Sequence, residues 1–376
     1  MTKFYPLARP LIEEAEKQAV FEVLDSKILS FGPKIKEFEK KFSQFIGTKY
    51  ACAVSSGTAG LHLTMLAAGI GPGDEVITSP FSFAASANSI LFSGAKPVFA
   101  DIDPVTYNID THRIEEKITN RTRAILVVHI FGQTCQMDKI LEISQKHNLI
   151  VIEDACEVVG AQYKGKKAGT FGQSAVFAFY GNKQLVTGEG GMITTNNQQI
   201  DSLCRSLRNQ GRDENMAWLN HARLGYNYRL TEMQAALGLA QLEKLNWMIK
   251  ERQRIAGLYH QCLKPFAELL QIPHTAPDNI HSWFLYVVRL NQKISRSQII
   301  EQLKQNNIQS KPYFPSIHLL DFYQKMFNYR EGNFPESEEA SRHTLALPFY
   351  VGLNEKDVKY ISQKLIDLCR NNLKAK

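Results

Sequence analysis

The chain has 376 residues, 44 basic and 37 acidic, giving a formal charge of +7, with 44% hydrophobic and 22% charged residues. That apolar share can bury a sizeable core and excludes a disordered chain, and the length exceeds one ordinary domain. The surplus is mild and its densest patches, Lys34, Lys36, Lys40 and Lys41, then Lys164, Lys166 and Lys167, form no recognition stripe, which argues against a nucleic-acid partner; no run is long enough to cross a membrane.

From residue 50 onward short runs rich in valine, isoleucine and phenylalanine alternate with helical stretches, the pattern of a mostly parallel sheet wrapped by helices. Seven strands are predicted at Tyr50–Ser55, Glu75–Ser79, Pro97–Ile102, Ala124–Ile130, Leu149–Asp154, Ala175–Phe179 and Gly191–Thr195. Helices are expected at Thr58–Gly69, Phe83–Phe92, Ile109–Ile118 and Met137–His147, and from Thr195 to about Arg208. A polar loop over Gly211–Tyr228 precedes a long amphipathic run, Thr231–Leu263. Trp283–Leu290, Arg296–Asn306, Gln309–Phe314 and a last helix from Glu355 compose a smaller α+β unit. The division is placed at residue 250, giving a large α/β domain over 1–250 and a small domain over 251–376. The six cysteines show no C-x-x-C pair and no metal-ligand spacing, as expected of reduced thiols in a cytoplasmic protein.

Ligands of open α/β sheets bind beyond the carboxyl ends of the strands, and three such places carry chemistry. Ser55-Ser56-Gly57-Thr58-Ala59-Gly60 turns from a strand into a helix, where unpaired amides and the Thr58 hydroxyl suit a phosphate; an ordinary turn capped by Ser56 or Thr58 is the plain alternative. The strand Val151-Ile152-Glu153-Asp154 ends in acid, and Asp154 needs a partner: a ligand's cationic nitrogen, an arginine, or a helix to cap. Lys183 stands between a strand and a glycine-rich return, Gly188-Glu189-Gly190-Gly191, where apolar flanks would desolvate its amine and favour a Schiff base; an exposed loop lysine is the commoner case. A phosphate cradle, a carboxylate for a pyridinium and an imine-forming lysine are together what pyridoxal 5'-phosphate requires.

Those segments, with Phe179-Tyr180-Gly181-Asn182-Lys183-Gln184, Thr187-Gly188-Glu189-Gly190-Gly191 and Leu224-Gly225-Tyr226-Asn227-Tyr228-Arg229-Leu230, resemble the DegT/DnrJ/StrS family of nucleotide-sugar aminotransferases along nearly the whole chain. The resemblance implies the aspartate aminotransferase fold (fold type I) and a homodimer with active sites at the subunit interface. It makes Lys183 the cofactor-holding lysine and general acid/base, and Asp154 the partner of the pyridine nitrogen. It places Ser56, Gly57 and Thr58 at the phosphate, Phe83 on the ring, and Asn227 at the phosphate of the neighbouring subunit. Two positions depart from the commonest pattern: Ala178 replaces a phosphate-binding serine, with Tyr180 or Asn182 as compensation, and Glu157 replaces glutamine or histidine beside the ring oxygen. A charged Glu157 there would be repelled, so it is expected to be protonated, to share a proton, or to turn toward substrate. Relatives that dehydrate carry histidine in place of the lysine, so Lys183 argues for transamination. Glutamate is the implied donor, pyridoxamine phosphate the carrier, and a nucleoside-diphosphate-linked 4-keto-6-deoxyhexose the implied acceptor. A 3-keto-sugar, a sugar phosphate or a cyclitol is the alternative acceptor, and a regulatory protein on the same fold the alternative class. Tyr313 and His318 are candidates for the sugar diphosphate or for packing at the domain junction, and the loops Gly211–Leu224 and Lys311–Leu320 for specificity.

Overall fold

The apolar runs pair into one central sheet. A computed structural model describes residues 3–213 and 220–374, so part of the Gly211–Leu224 loop expected to set specificity, residues 214–219, lies outside the described residues. Across the sheet the strands run Tyr50–Val54, Gly191–Thr195, Ser174–Ala178, Ile150–Asp154, Thr122–Val128, Glu75–Thr78 and Lys96–Phe99. Only Gly191–Thr195 pairs antiparallel with its neighbours, so the other six carboxyl ends open on one edge. The seven strands match the expected ones within one or two residues at most ends, although Pro97–Ile102 ends at Phe99.

Helices cover both faces because their apolar residues recur at helical spacing. Pro33–Ile46 starts with proline at its first turn, ends on Gly47 at φ 97°, and buries Ile35, Phe38, Phe42 and Ile46 along one stripe. Phe38 and Phe42 meet Phe177 and Phe179 of the sheet, all fully buried, with Phe42 and Phe177 ring centroids 5.1 Å apart at 72°. Burying each such ring stabilises the fold by about 1.5–3 kcal/mol. Gly57–Ala67 and Gln198–Arg208 fill the opposite face around Leu61, Leu63, Ile200 and Cys204.

The helix Glu232–Leu263 is 32 residues long and is opened by a capping box between Thr231 and Gln234. Its packing changes along its length. Leu245, Met248 and Ile249 join the core beneath the sheet, whereas Ile255, Tyr259 and Leu263 join a second core with the strands Leu270–Gln271, Tyr286–Leu290 and Thr344–Leu347 and the helix Glu355–Lys374. Tyr5 bridges Ile308 and lies in that second core, whereas Leu7 packs with Phe81, Ile102 and Val128 of the large unit.

Two expected elements differ. Ile109–Ile118 is not a helix but two short 3-10 turns, Thr111–Arg113 and Glu115–Lys117. Ile109 is held extended by a bridge to Ile102, and the Asp110 side chain accepts from the His112 amide, a local turn that competes with helix. Gln309–Phe314 forms no strand beyond a single bridge from Lys311 to Ala346. Among the described residues no helix is long and apolar enough to cross a membrane.

Candidate active site

Three turns meet where the strands end. In the first, Ser56 Oγ accepts from the Ala59 amide at 3.1 Å and caps Gly57–Ala67, leaving the Gly57 and Thr58 amides without intrahelical partners. The positive end of an eleven-residue helix thus faces the opening. Gly57 is required by contact: a Cβ there would lie 2.8 Å from the Ala178 Cβ and 2.9 Å from Cys156 Sγ. Gly191 is equally confined, since its Cβ would stand 2.6 Å from the Ser56 carbonyl oxygen. The small residues therefore bring the phosphate-type turn directly against the strands bearing Asp154 and Ala178.

In the second turn the neighbouring acids Glu153 and Asp154 point to opposite faces, as successive strand residues must. Glu153, fully buried, accepts from the amides of Gly169, Phe171 and Gly172 at 2.7–2.8 Å and from His129 Nε2 at 3.0 Å. His129 Nδ1 accepts from the Cys135 amide, so its proton sits on Nε2 and is donated to Glu153. That carboxylate fastens a loop. Asp154, 5% exposed, accepts from Ser86 Oγ at 2.7 Å and from the Cys156 amide at 3.2 Å. Among the described residues no lysine, arginine or histidine forms an ion pair with it. A buried carboxylate with spare lone pairs and no cation fits a ligand's protonated nitrogen.

The third turn presents Lys183, whose side chain is 13% exposed. Its Nζ lies 3.4 Å from Glu157 Oε1 and 3.9 Å from the Phe284 ring centroid, and its amide donates to the Tyr180 carbonyl. Glu157 Oε2 accepts from the Phe131 amide at 2.9 Å. Burial is the main influence on this carboxyl and pushes its pKa above the usual 4.5, as does the charge of Asp154, against the opposing pull of Lys183 and the Phe131 amide. The Tyr313 hydroxyl is likewise pushed up by burial, then by Glu157, and pairs with the Asn182 side chain.

The remaining expected residues divide. Phe83 is 66% exposed at the turn before the helix Ala85–Phe92, while its neighbour Phe81 is the buried core ring. Tyr180 is 54% exposed, its backbone bridged to Gly188. Asn227 is exposed, its segment tied to the first turn by the Ser55 amide donating to the Tyr228 carbonyl. His318 is a correction: its side chain is wholly buried, with Nε2 3.0 Å from Glu338 Oε1 and its ring on the edge of Phe334, so no substrate reaches it. Sequence reasoning missed Ser86, Phe284 and the His129–Glu153 pair; the acid before Asp154 and the Ser82-x-x-x-Ser86 spacing were the available signals.

Phosphate-type amides, an unpaired buried carboxylate and a half-desolvated lysine are the donor set pyridoxal phosphate needs, and they stand on adjacent strand ends. A model of the DegT/DnrJ/EryC1/StrS aminotransferase family matches residues 10–366. The chain is 43% identical to a protein named GDP-perosamine synthase of Caulobacter vibrioides over 355 residues, covering 94% of this chain and 95% of that one. It is 41% identical to the spore coat polysaccharide biosynthesis protein SpsC of Bacillus subtilis over 380 aligned positions, covering 98% and 97%. The solved structure of Helicobacter pylori PseC, an aminotransferase of pseudoaminic acid biosynthesis, superposes with a TM-score of 0.93 at 30% identity, covering 98% of this chain and all of that one. The chain belongs to the DegT/DnrJ/EryC1/StrS aminotransferase family, and is a sugar aminotransferase that uses pyridoxal phosphate.

Proposed function

We propose that this enzyme moves the amino group of glutamate to a nucleoside-diphosphate-linked 4-keto-6-deoxyhexose, in surface polysaccharide or amino-sugar biosynthesis. The observation that carries the reading is the pairing of a cation-free buried Asp154 with Lys183 on an adjacent turn. A relative whose product is a GDP-linked sugar supports the nucleotide-linked acceptor. When bound, pyridoxal phosphate supplies the electron sink that lets nitrogen leave one carbon and join another.

The chain's own residues do the rest. The Gly57 and Thr58 amides, with the Thr58 hydroxyl and the Ser56 turn, hold the phosphate at the helix N-terminus. Asp154 keeps a proton on the pyridine nitrogen, and Phe83 covers the ring. Lys183 anchors the cofactor at rest and, once displaced by the donor, carries the proton at the donor's α-carbon. Glu157, 3.4 Å from Lys183 Nζ and with its pKa raised by burial, holds the displaced side chain close. Because Ala178 offers no hydroxyl, Tyr180 takes its place; Asn182 is already engaged by Tyr313.

The enzyme works as a homodimer in the cytoplasm, with the 1–250 unit bearing the cofactor and the 251–376 unit closing over it. Phe31 and Leu224, 60% and 85% exposed, supply apolar surface for the second copy, from which Asn227 reaches the phosphate. All six cysteines are free thiols, as suits a reducing compartment. Glutamate tested against a panel of nucleotide-linked 4-keto and 3-keto sugars, with the aminated carbon assigned by NMR, is expected to give a 4-amino product. Amination at carbon 3, or only of an unlinked sugar phosphate or cyclitol, overturns the acceptor assignment.

A further inference from the structure

We propose that Ser86 is a positioning residue for the cofactor's pyridine nitrogen, acting through Asp154 at the end of a hydroxyl relay that begins at Ser82. This rests on the assignment of Asp154 to that nitrogen. Ser82, Ser86 and Asp154 are 2%, 1% and 5% exposed, so the relay is dry. Ser86 Oγ stands 2.7 Å from Asp154 Oδ2 and 2.8 Å from Ser82 Oγ.

The direction of the relay follows from counting protons. An ionised carboxylate only accepts, so the single Ser86 hydroxyl proton goes to Asp154. Ser82 then donates to Ser86, in preference to the longer 3.3 Å contact with the Phe83 carbonyl. Each link polarises the next, and a hydrogen bond to a charged acceptor in a dry site is among the stronger kinds. With the Cys156 amide on Oδ1 and Ser86 on Oδ2, both carboxylate oxygens are pinned and the plane of the group is fixed. A carboxylate so held keeps its remaining lone pairs in one orientation, which is what a proton on a neighbouring nitrogen requires.

Ser86 lies in the first turn of Ala85–Phe92, and the turn that precedes this helix brings Ser82 back to within 2.8 Å of it. Between them lies Phe83, whose side chain projects into the open while Ser82 and Ser86 turn inward. One turn therefore sets both the ring contact and the carboxylate beneath it. Packing alone does not account for a hydroxyl here, since a buried hydroxyl without partners is unfavourable and alanine occupies positions 84, 85 and 87 around it.

The test uses the full chain and cofactor labelled with 15N at the pyridine nitrogen. Removing one charge-assisted bond is expected to weaken cofactor binding by about tenfold in Ser86→Ala, read by fluorescence titration of the cofactor-free protein. The bound cofactor's 15N resonance should move toward the unprotonated position, and kcat should fall with the KM for glutamate unchanged. Ser86→Thr, which keeps the hydroxyl, should restore all three, and Ser82→Ala should produce the same changes in weaker form. A Ser86→Ala protein with the wild-type dissociation constant and 15N resonance overturns the proposal while leaving the Asp154 assignment standing. An unmoved resonance in Asp154→Ala overturns that assignment and the relay together.

Discussion

Glu157 and Lys183 are both buried enough that the charge of one is felt by the other across 3.4 Å. Because the folded protein raises the Glu157 pKa above its usual 4.5, the native state binds a proton there more tightly than the unfolded chain does. The linkage sign follows: its contribution is fully present below pH 4.5 and is lost as pH rises through the folded value. In the cofactor-free protein, Glu157→Gln is expected to gain thermal stability relative to wild type as pH climbs from 4.5 towards neutrality. A difference in melting temperature that stays constant or shrinks over that range contradicts the assignment. At this scale the sequence was informative where chemistry is local. Lys183 stands out by its glycine-rich surroundings and Asp154 by ending an apolar strand, whereas the Ser86–Asp154 contact joins residues 68 apart and depends on how a helix sits against a strand. His318 was misjudged for the same reason: its partner Glu338 lies 20 residues on, and nothing in the local pattern shows that the pair is sealed inside.

The elements that frame the site are locked by one buried carboxylate. Glu39, on Pro33–Ile46, accepts from Arg205 and Arg208 of Gln198–Arg208 at 2.7 and 2.6 Å and from the Ala53 amide of Tyr50–Val54 at 2.8 Å. Burial alone would raise its pKa, but Arg208 and Arg205 outweigh it and hold the carboxyl below 4.5. Such a group stabilises the fold above 4.5 and loses that contribution as pH falls through its folded value. Glu39→Gln, which removes the carboxylate shared by two guanidiniums and leaves Arg205 with Asp201 and Arg208 with the Ala53 carbonyl, is expected to cost about 3 kcal/mol near neutral pH and progressively less in acid, read by denaturant unfolding. A cost that is small at pH 7, or unchanged in acid, would refute this lock. All seven central strands were legible because valine-rich runs between turn residues leave few alternatives. The false helix at 109–118 shows the limit, since apolar spacing there was outweighed by a strand bridge at Ile109 and the Asp110 turn.

Across the whole molecule, one helix carries the change from the sheet's core to the C-terminal core between Ile249 and Ile255. Arg252 sits at that change, buried, and donates to the Trp283 and Phe284 carbonyls. The same Phe284 ring covers Lys183 Nζ, so the C-terminal unit forms one wall of the site. The family was legible from the motifs alone; the joining of residue 5 to the C-terminal core was not, because a single bridged residue carries no periodicity. The +7 charge suits the doubly anionic nucleotide-linked acceptor proposed above. Incubation with 15N-glutamate and a nucleotide-linked 4-keto-6-deoxyhexose tests the central claim most directly. Wild-type protein is expected to place 15N on the sugar and a folded Lys183→Ala none; a labelled sugar formed at the wild-type rate by Lys183→Ala would contradict the role given to Lys183.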